Sequence, residues 1–326
     1  MTDGEAWTRE LLAELQVACF RPRAWTRFLR RSFERAAERR AERPREHRTV
    51  QLLALAGVAG WMIAGPAALG WTAAAGAGWW LAVCLMLDWH LGMLERPDGR
   101  ALGRLGPANV LSLLRAGVVP VLLLVPAPVG GALLLAAGVS DAIDGPLARR
   151  RDEVTRLGLW LDGTVDTFVL AAAALAAPVP GWAVALVLVR CGLPWLAVAG
   201  CYFGRGQAPG RERAVSGRYP GLVLFAGLVL ALFDVGGAAW VASAGAAAGL
   251  GTFALTVVRQ RASKREELRG RLLDGHAPGR VGVDRLREPA GEGSRLDRER
   301  TLVDQLAGVG ADDLRADQLA AAEAAE

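Results

Sequence analysis

The sequence predicts an all-α integral membrane protein, and three observations predict it. Hydrophobic residues make up 52% of the 326 and gather between about residues 49 and 258, with charged segments on both sides. They fall into runs close to the roughly 20 apolar residues that a helix needs to cross a bilayer. Pro and Gly mark several breaks between the runs, as in PAPVGG, APVPG and DVGGA, which suits tight turns between antiparallel helices.

Residues 1–48 form a basic N-terminal segment without an uninterrupted apolar core, so no signal peptide is expected. Its stretch RFLRRSFERAAERRAERPREHR fits an amphipathic helix on an anionic membrane surface, and it fits a solvated basic helix equally well. Residues 49–91 then carry two apolar runs, an extra transmembrane hairpin, flanked by Trp71, Trp79, Trp80 and Trp89 as an interfacial belt. A juxtamembrane segment at 92–108 precedes six more runs, at about 109–125, 129–143, 157–177, 182–202, 221–233 and 238–258. Eight spans are therefore expected. Beyond residue 260 the chain turns polar and mixed in charge, and 261–326 reads as a largely disordered tail.

Loop charge orients the spans. The turns near Pro126, Pro178 and Gly236 hold no Lys or Arg, whereas the opposite ends carry Arg149 to Arg151, Arg156, Arg205, Arg211, Arg213 and Arg218. The positive-inside rule then places both termini and the DAIDG end in the cytoplasm of a multi-pass protein of the cell membrane. Cys19, Cys84, Cys191 and Cys201 form no C-x-x-C pair, which argues against a disulfide framework and a structural zinc site. Asp88 is expected near a helix end within reach of water. His47, His90 and His276 are too scattered to suggest a ligand set.

The chemistry concentrates in two stretches, SDAIDGPLARR and RLGLWLDGTVDTFVL. Asp141 and Asp144 lie three apart and Asp162 and Asp166 four apart, so each pair shares a helix face. Charges at the edge of a membrane helix are costly and mark function. Four clustered carboxylates repel one another, and Mg2+ or Mn2+, which prefer hard oxygen ligands, would relieve that repulsion. Two such metals form a recurrent device for phosphoryl transfer. Gly145, Ala148 and Gly158 leave room for close approach, and Arg149 offers a guanidinium suited to phosphate. Pro146 is expected to kink or end its helix near residues 142–145.

These residues resemble the signature D-x2-D-G-x2-A-R-x8-G-x3-D-x3-D of the CDP-alcohol phosphotransferase (CDP-alcohol phosphatidyltransferase) family, matched without a miss by Asp141, Asp144, Gly145, Ala148, Arg149, Gly158, Asp162 and Asp166. GPANVLSLLRAG is similar to the family's first core helix, which opens with Asn and carries Ser or Thr and Arg a few residues on. The resemblance implies a six-helix catalytic domain at about 109–260; the hairpin, a departure from the family pattern that offers no paired carboxylates, is expected to pack beside it without supplying a catalytic group. It also implies transfer from CDP-diacylglycerol or a related CDP-alcohol to an acceptor hydroxyl, releasing CMP. Asp141, Asp144 and Asp162 would bind metal, Asp166 would complete that site and act as general base, and Gly145, Ala148, Arg149 and Gly158 would hold the cytidine diphosphate.

The acceptor is left open. Arg205, Arg211, Arg213 and Arg218, with Arg190 inside a span, suit a phosphorylated polyol such as glycerol 3-phosphate, while an uncharged acceptor or phosphatidylglycerol fits as well. Synthesis of phosphatidylglycerol phosphate or a related phospholipid is the expected activity. The resemblance further implies a homodimer, and no nucleic acid is expected as a partner. The rival reading is a non-catalytic metal-binding membrane protein or an ion transporter lined by the carboxylates.

Overall fold

A computed structural model describes residues 3–70, 72–96, 98–205 and 218–274, and among them all regular secondary structure is helical. Helices α1 (Asp3–Val17) and α2 (Pro22–Glu42) come first. They are followed by α3 (Pro44–Leu69), α4 (Thr72–Trp89) and a short 3-10 turn at Leu91–Met93. The remaining helices are α5 (Pro107–Leu122), α6 (Ala127–Arg150), α7 (Arg156–Ala176), α8 (Gly181–Arg205), α9 (Arg218–Leu232) and α10 (Ala238–Asp274). Proline opens α2, α3, α5 and α6 within their first two positions, where its missing N–H costs nothing. Thr155 starts α7 by accepting a hydrogen bond from the Gly158 amide at 3.0 Å.

Among the described residues, four helical stretches are long and apolar enough to cross a membrane: Ala127–Arg150, Arg156–Ala176, Gly181–Gly204 and Ala238–Arg259. Pro107–Leu122 and Tyr219–Leu232 are apolar but shorter. At 1.5 Å per residue α5 measures roughly 24 Å against a hydrocarbon core of about 30 Å. The eight spans expected from sequence thus correspond to eight helices, of which four meet the length and composition on their own. Helix α3 spends its first turns on the charged PREHR, and α4 ends on Asp88 and Trp89.

Two cores hold these helices. One joins α5 to α10 through Leu122, Leu134, Ala173, Leu228, Leu232 and Ala246, all essentially inaccessible. The other joins the α3–α4 pair to α5 and α7 through Val50, Trp80, Cys84, Leu87, Leu113 and Leu157. Trp79 and Trp80 do not form an interfacial belt. Their indole N–H groups donate to the Ala116 carbonyl at 2.8 Å and the Leu53 carbonyl at 2.9 Å, because an apolar interior gives a buried indole no water to bind. Trp71 lies outside the described residues.

Helices α9 and α10 cross at backbone contact. A Cβ placed on Gly227 would stand 2.3 Å from the Ala242 nitrogen, and one on Gly245 would stand 2.3 Å from the Leu224 nitrogen. Small residues at such crossings let helices in a membrane gain van der Waals contact where the hydrophobic effect gives no drive. Gly227→Val is expected to cost more than the about 1–3 kcal/mol of ordinary overpacking, since backbone cannot step aside. Thermal unfolding in detergent should show a clear loss for this variant and none for Gly221→Val, which has open space around it. Equal melting of the two would contradict the crossing.

Three expectations need correction here. Helix α6 continues through Pro146 to Arg150. Proline removes only the bond to the Ala142 carbonyl, and with about one turn left the helix loses little by continuing. Asp88 is 8% exposed and does not reach water, because His47 Nδ1 lies 2.6 Å from one carboxylate oxygen and Arg40 donates to the other at 3.2 Å. Helix α10 runs on to Asp274, past the start of the expected tail, and the rest of that tail lies outside the described residues. Residues Met1–Glu266 form one unit and Glu267–Glu326 a second, of which only the end of α10 is described.

Candidate active site

The site grows from three adjacent helices. Asp141 and Asp144 stand on the last turns of α6, and Asp162 and Asp166 on the first turns of α7. Their three- and four-residue spacings turn both pairs toward α5, and single oxygens of Asp141, Asp144 and Asp162 all lie within 4.8 Å of one another. Asp144 is buried, while Asp141, Asp162 and Asp166 each keep 40–46% of their side chains exposed. The cluster is therefore walled on one side and open on the other.

Arg115 of α5 fills the wall. Its side chain is 3% exposed, and its guanidinium pairs with all four carboxylates. It meets Asp144 at 2.7 Å and Asp166 at 3.1 Å, and it bonds Asp141 and Asp162 as well. Ser112, one turn earlier on α5, donates to Asp144 Oδ2 at 3.1 Å. Arg115 and Ser112 belong to the GPANVLSLLRAG stretch, whose similarity to a core helix said nothing of what they touch. One guanidinium among four carboxylates leaves up to three negative charges uncompensated. That excess, the hard oxygen donors and their close spacing fit a divalent cation.

The residues expected around a diphosphate gather at the same end. The Arg149 guanidinium folds back over Gly145, with Nη1 3.3 Å from where a Cβ on that glycine would be. Arg149 is exposed and makes no ion pair among the described residues, so it is free for an anion. Gly158 lies against Asn109, whose Oδ1 would stand 2.5 Å from an added Cβ. Asn109 is itself buried and donates to the Leu105 carbonyl. Ala148 accepts the Glu153 amide at 2.9 Å, closing the turn between α6 and α7.

That turn is held from outside by the juxtamembrane segment. Arg96 pairs with Asp152 at 2.7 Å, Arg104 bonds the buried Glu153, and Arg156 approaches Glu95 at 3.9 Å. The Arg156 amide also donates to the Glu95 carbonyl at 3.1 Å. These contacts fix the loop that leads from Arg149 to Gly158. Nothing in the sequence pattern announced them, because the partners lie between 49 and 61 positions apart.

The candidate acceptor residues are not gathered in the same way. Arg190 is half-buried on α8, beside Gly249 of α10, and its Nε has no hydrogen-bond partner. It forms no ion pair with the four carboxylates. Arg205 ends α8 and Arg218 begins α9, so both border the same connection, while Arg211 and Arg213 lie outside the described residues.

Comparison with known proteins agrees with the motif. Residues 106–258 match the family model described as CDP-alcohol phosphatidyltransferase, a range that contains α5 to α9, most of α10 and every residue of the carboxylate cluster. No curated protein and no solved structure matches the chain.

Proposed function

We propose that this CDP-alcohol phosphatidyltransferase domain, part of a multi-pass membrane protein, makes a phospholipid from CDP-diacylglycerol and a hydroxyl acceptor. The observation that carries the reading is the α6–α7 cluster, four carboxylates beside an unengaged Arg149 at the arginine-rich end of the bundle. Asp141, Asp144 and Asp162 would hold divalent cations, Mg2+ or Mn2+ and most simply two, which neutralise the diphosphate and polarise its oxygens when bound. Arg149 pairs with the diphosphate, and Gly145 and Gly158 allow it to approach backbone.

Asp166 acts at the acceptor. Its carboxylate takes the hydroxyl proton as the acceptor oxygen bonds to the phosphorus that carries the diacylglycerol. The bond from that phosphorus to the bridging oxygen breaks, and CMP leaves with the electron pair. Arg115 fixes the carboxylates relative to one another and contributes the positive charge built into the site. A guanidinium in the middle of the cluster also weighs against an ion path, because a cation crossing there would meet a fixed like charge.

The acceptor in this reading is a phosphorylated polyol of the glycerol 3-phosphate type, which makes the product a phosphatidylglycerol phosphate. Arg205 and Arg218 at the mouth of one connection, with Arg190 in α8, support an anionic acceptor. The active site and both termini face the cytoplasm by the distribution of arginine, and the chain acts as a homodimer. Membranes containing the protein should release CMP from CDP-diacylglycerol when given Mg2+ and glycerol 3-phosphate, and stop on addition of a chelator. CMP release supported only by inositol phosphate, or only by phosphatidylglycerol, would move the acceptor. No release with any acceptor would end the reading.

A further inference from the structure

The basic N-terminal segment, left by its sequence between a membrane-surface helix and a solvated one, is decided by where α2 rests. Phe33 stacks on Trp89, the last residue of α4, with ring centroids 4.1 Å apart. Trp25 and Phe28 lie against Phe203, in the last turns of α8, at 5.4 Å and 6.4 Å. Helix α1 adds a hydrogen bond from Gln16 Nε2 to the Phe203 carbonyl at 2.7 Å. A helix that touches the ends of two apolar helices at points eight positions apart lies across them, not along them. It therefore sits at the level where the apolar helices stop.

The arginines of α2 divide into two sets. Arg31 pairs with Glu14, Arg35 with Glu38, Arg39 with Glu42 and Arg40 with Asp88, so this set serves the fold. Arg23 and Arg27 are exposed and have no ion pair among the described residues, and Arg30 meets only the exposed Glu34. At about 100° per residue these three occupy one arc of roughly 60°. Leu29 and Phe33, one turn apart beside that arc, are 44% and 51% exposed, and Val17 and Phe20 before the helix are 86% and 40% exposed. An exposed apolar strip edged by arginines, two of them without an ion pair among the described residues, is costly in water and suited to the boundary between acyl chains and phosphates.

We infer that this face of α2 docks on anionic phospholipid headgroups of the bilayer that the chain itself spans. Leu29 and Phe33 enter the acyl boundary, and Arg23, Arg27 and Arg30 pair with headgroup phosphates. Each arginine near such a surface strengthens the attraction by about fivefold. The inference does not depend on which reaction the carboxylates perform.

A nitroxide at position 26 tests it, since Thr26 is exposed between the strip and the arginines. Full-length protein carrying Thr26→Cys, with Cys19 and Cys201 changed to Ser and the buried Cys84 and Cys191 kept, is placed in nanodiscs. The discs hold phosphatidylcholine alone or a phosphatidylglycerol-rich mixture. The ratio of collisions with oxygen to collisions with a water-soluble nickel complex should rise about fivefold or more in the anionic discs. High salt should reverse the rise, and R23E/R27E/R30E should abolish it. A label equally open to the nickel complex in both lipids would show a solvated helix and overturn the inference. A label shielded from both reagents in both lipids would show a protein partner, such as a second copy, and would overturn it too. So would a rise that survives in the triple variant.

Discussion

Asp166→Asn is expected to lower the rate of phosphodiester formation by about 10²–10⁴-fold, the range that a positioned general base contributes. Metal-dependent retention of CDP-diacylglycerol should largely survive. The basis is the division within the cluster. Asp141, Asp144 and Asp162 bring single oxygens within 4.8 Å of one another, and Asp166 stands one turn further along α7 with 40% of its side chain exposed. Asparagine keeps the shape and accepts from Arg115 but takes no proton. Asp141→Asn and Asp144→Asn should instead lose CMP release and CDP-lipid binding together, because the diphosphate is held through what those residues bind. CMP release measured beside filter binding of labelled CDP-diacylglycerol separates the two classes. Equal loss of lipid binding in all three variants would make Asp166 another ligand, and the base would have to be sought elsewhere.

The second large effect is expected at Arg115. Its replacement by methionine, of similar length, leaves four carboxylates facing one another with no cation. Removing one partner from a buried ion pair costs about 3–5 kcal/mol, much of it from stranding the opposite charge. A divalent cation would offset part of that, since a ligand at 100 times its Kd stabilises by about 2.7 kcal/mol. Arg115→Met should therefore melt well below the parent in chelator, and Mg2+ should raise its Tm more than the parent's. An identical Mg2+ response in the two proteins would show that Arg115 does not stand in for cationic charge at the site.

What could be read ahead of the structure followed from periodicity. Three- and four-residue spacings put each carboxylate pair on one face whatever surrounds the helix, so the clustering of the α6 and α7 carboxylates was legible. Apolar run length located the helices for the same reason. Arg115 was not legible as the centre of the site. It lies between 26 and 51 positions from its four partners, and only the packing of α5 between α6 and α7 brings them together. Asp88 was misjudged because a charge near a helix end is wet unless another element covers it, and α2 and the start of α3 do so with Arg40 and His47. Trp79 and Trp80 failed similarly: they lie mid-helix in α4, where carbonyls of α5 and α3 accept hydrogen bonds from their indole N–H groups. Of the expected spans, α5 and α9 fall short in helix length, while α3 begins and α4 ends on charge, because apolar count and helix extent are different quantities.

The contacts between the juxtamembrane segment and the α6–α7 turn bear on where this protein can be cut. Family similarity begins at residue 106, and a genetic truncation near Pro97 would look harmless by that measure. Such a cut removes Glu95 and Arg96, which pair with Arg156 and Asp152 and so help to fasten the loop between Arg149 and Gly158. The smallest segment that keeps this loop fastened therefore starts before Glu95. Arg43 bonds the Leu91 and Leu94 carbonyls at 2.6 Å and 2.9 Å, which ties that starting point in turn to the segment upstream of the hairpin. The hairpin is then spliced into the support of the α6–α7 loop and cannot be treated as a detachable anchor.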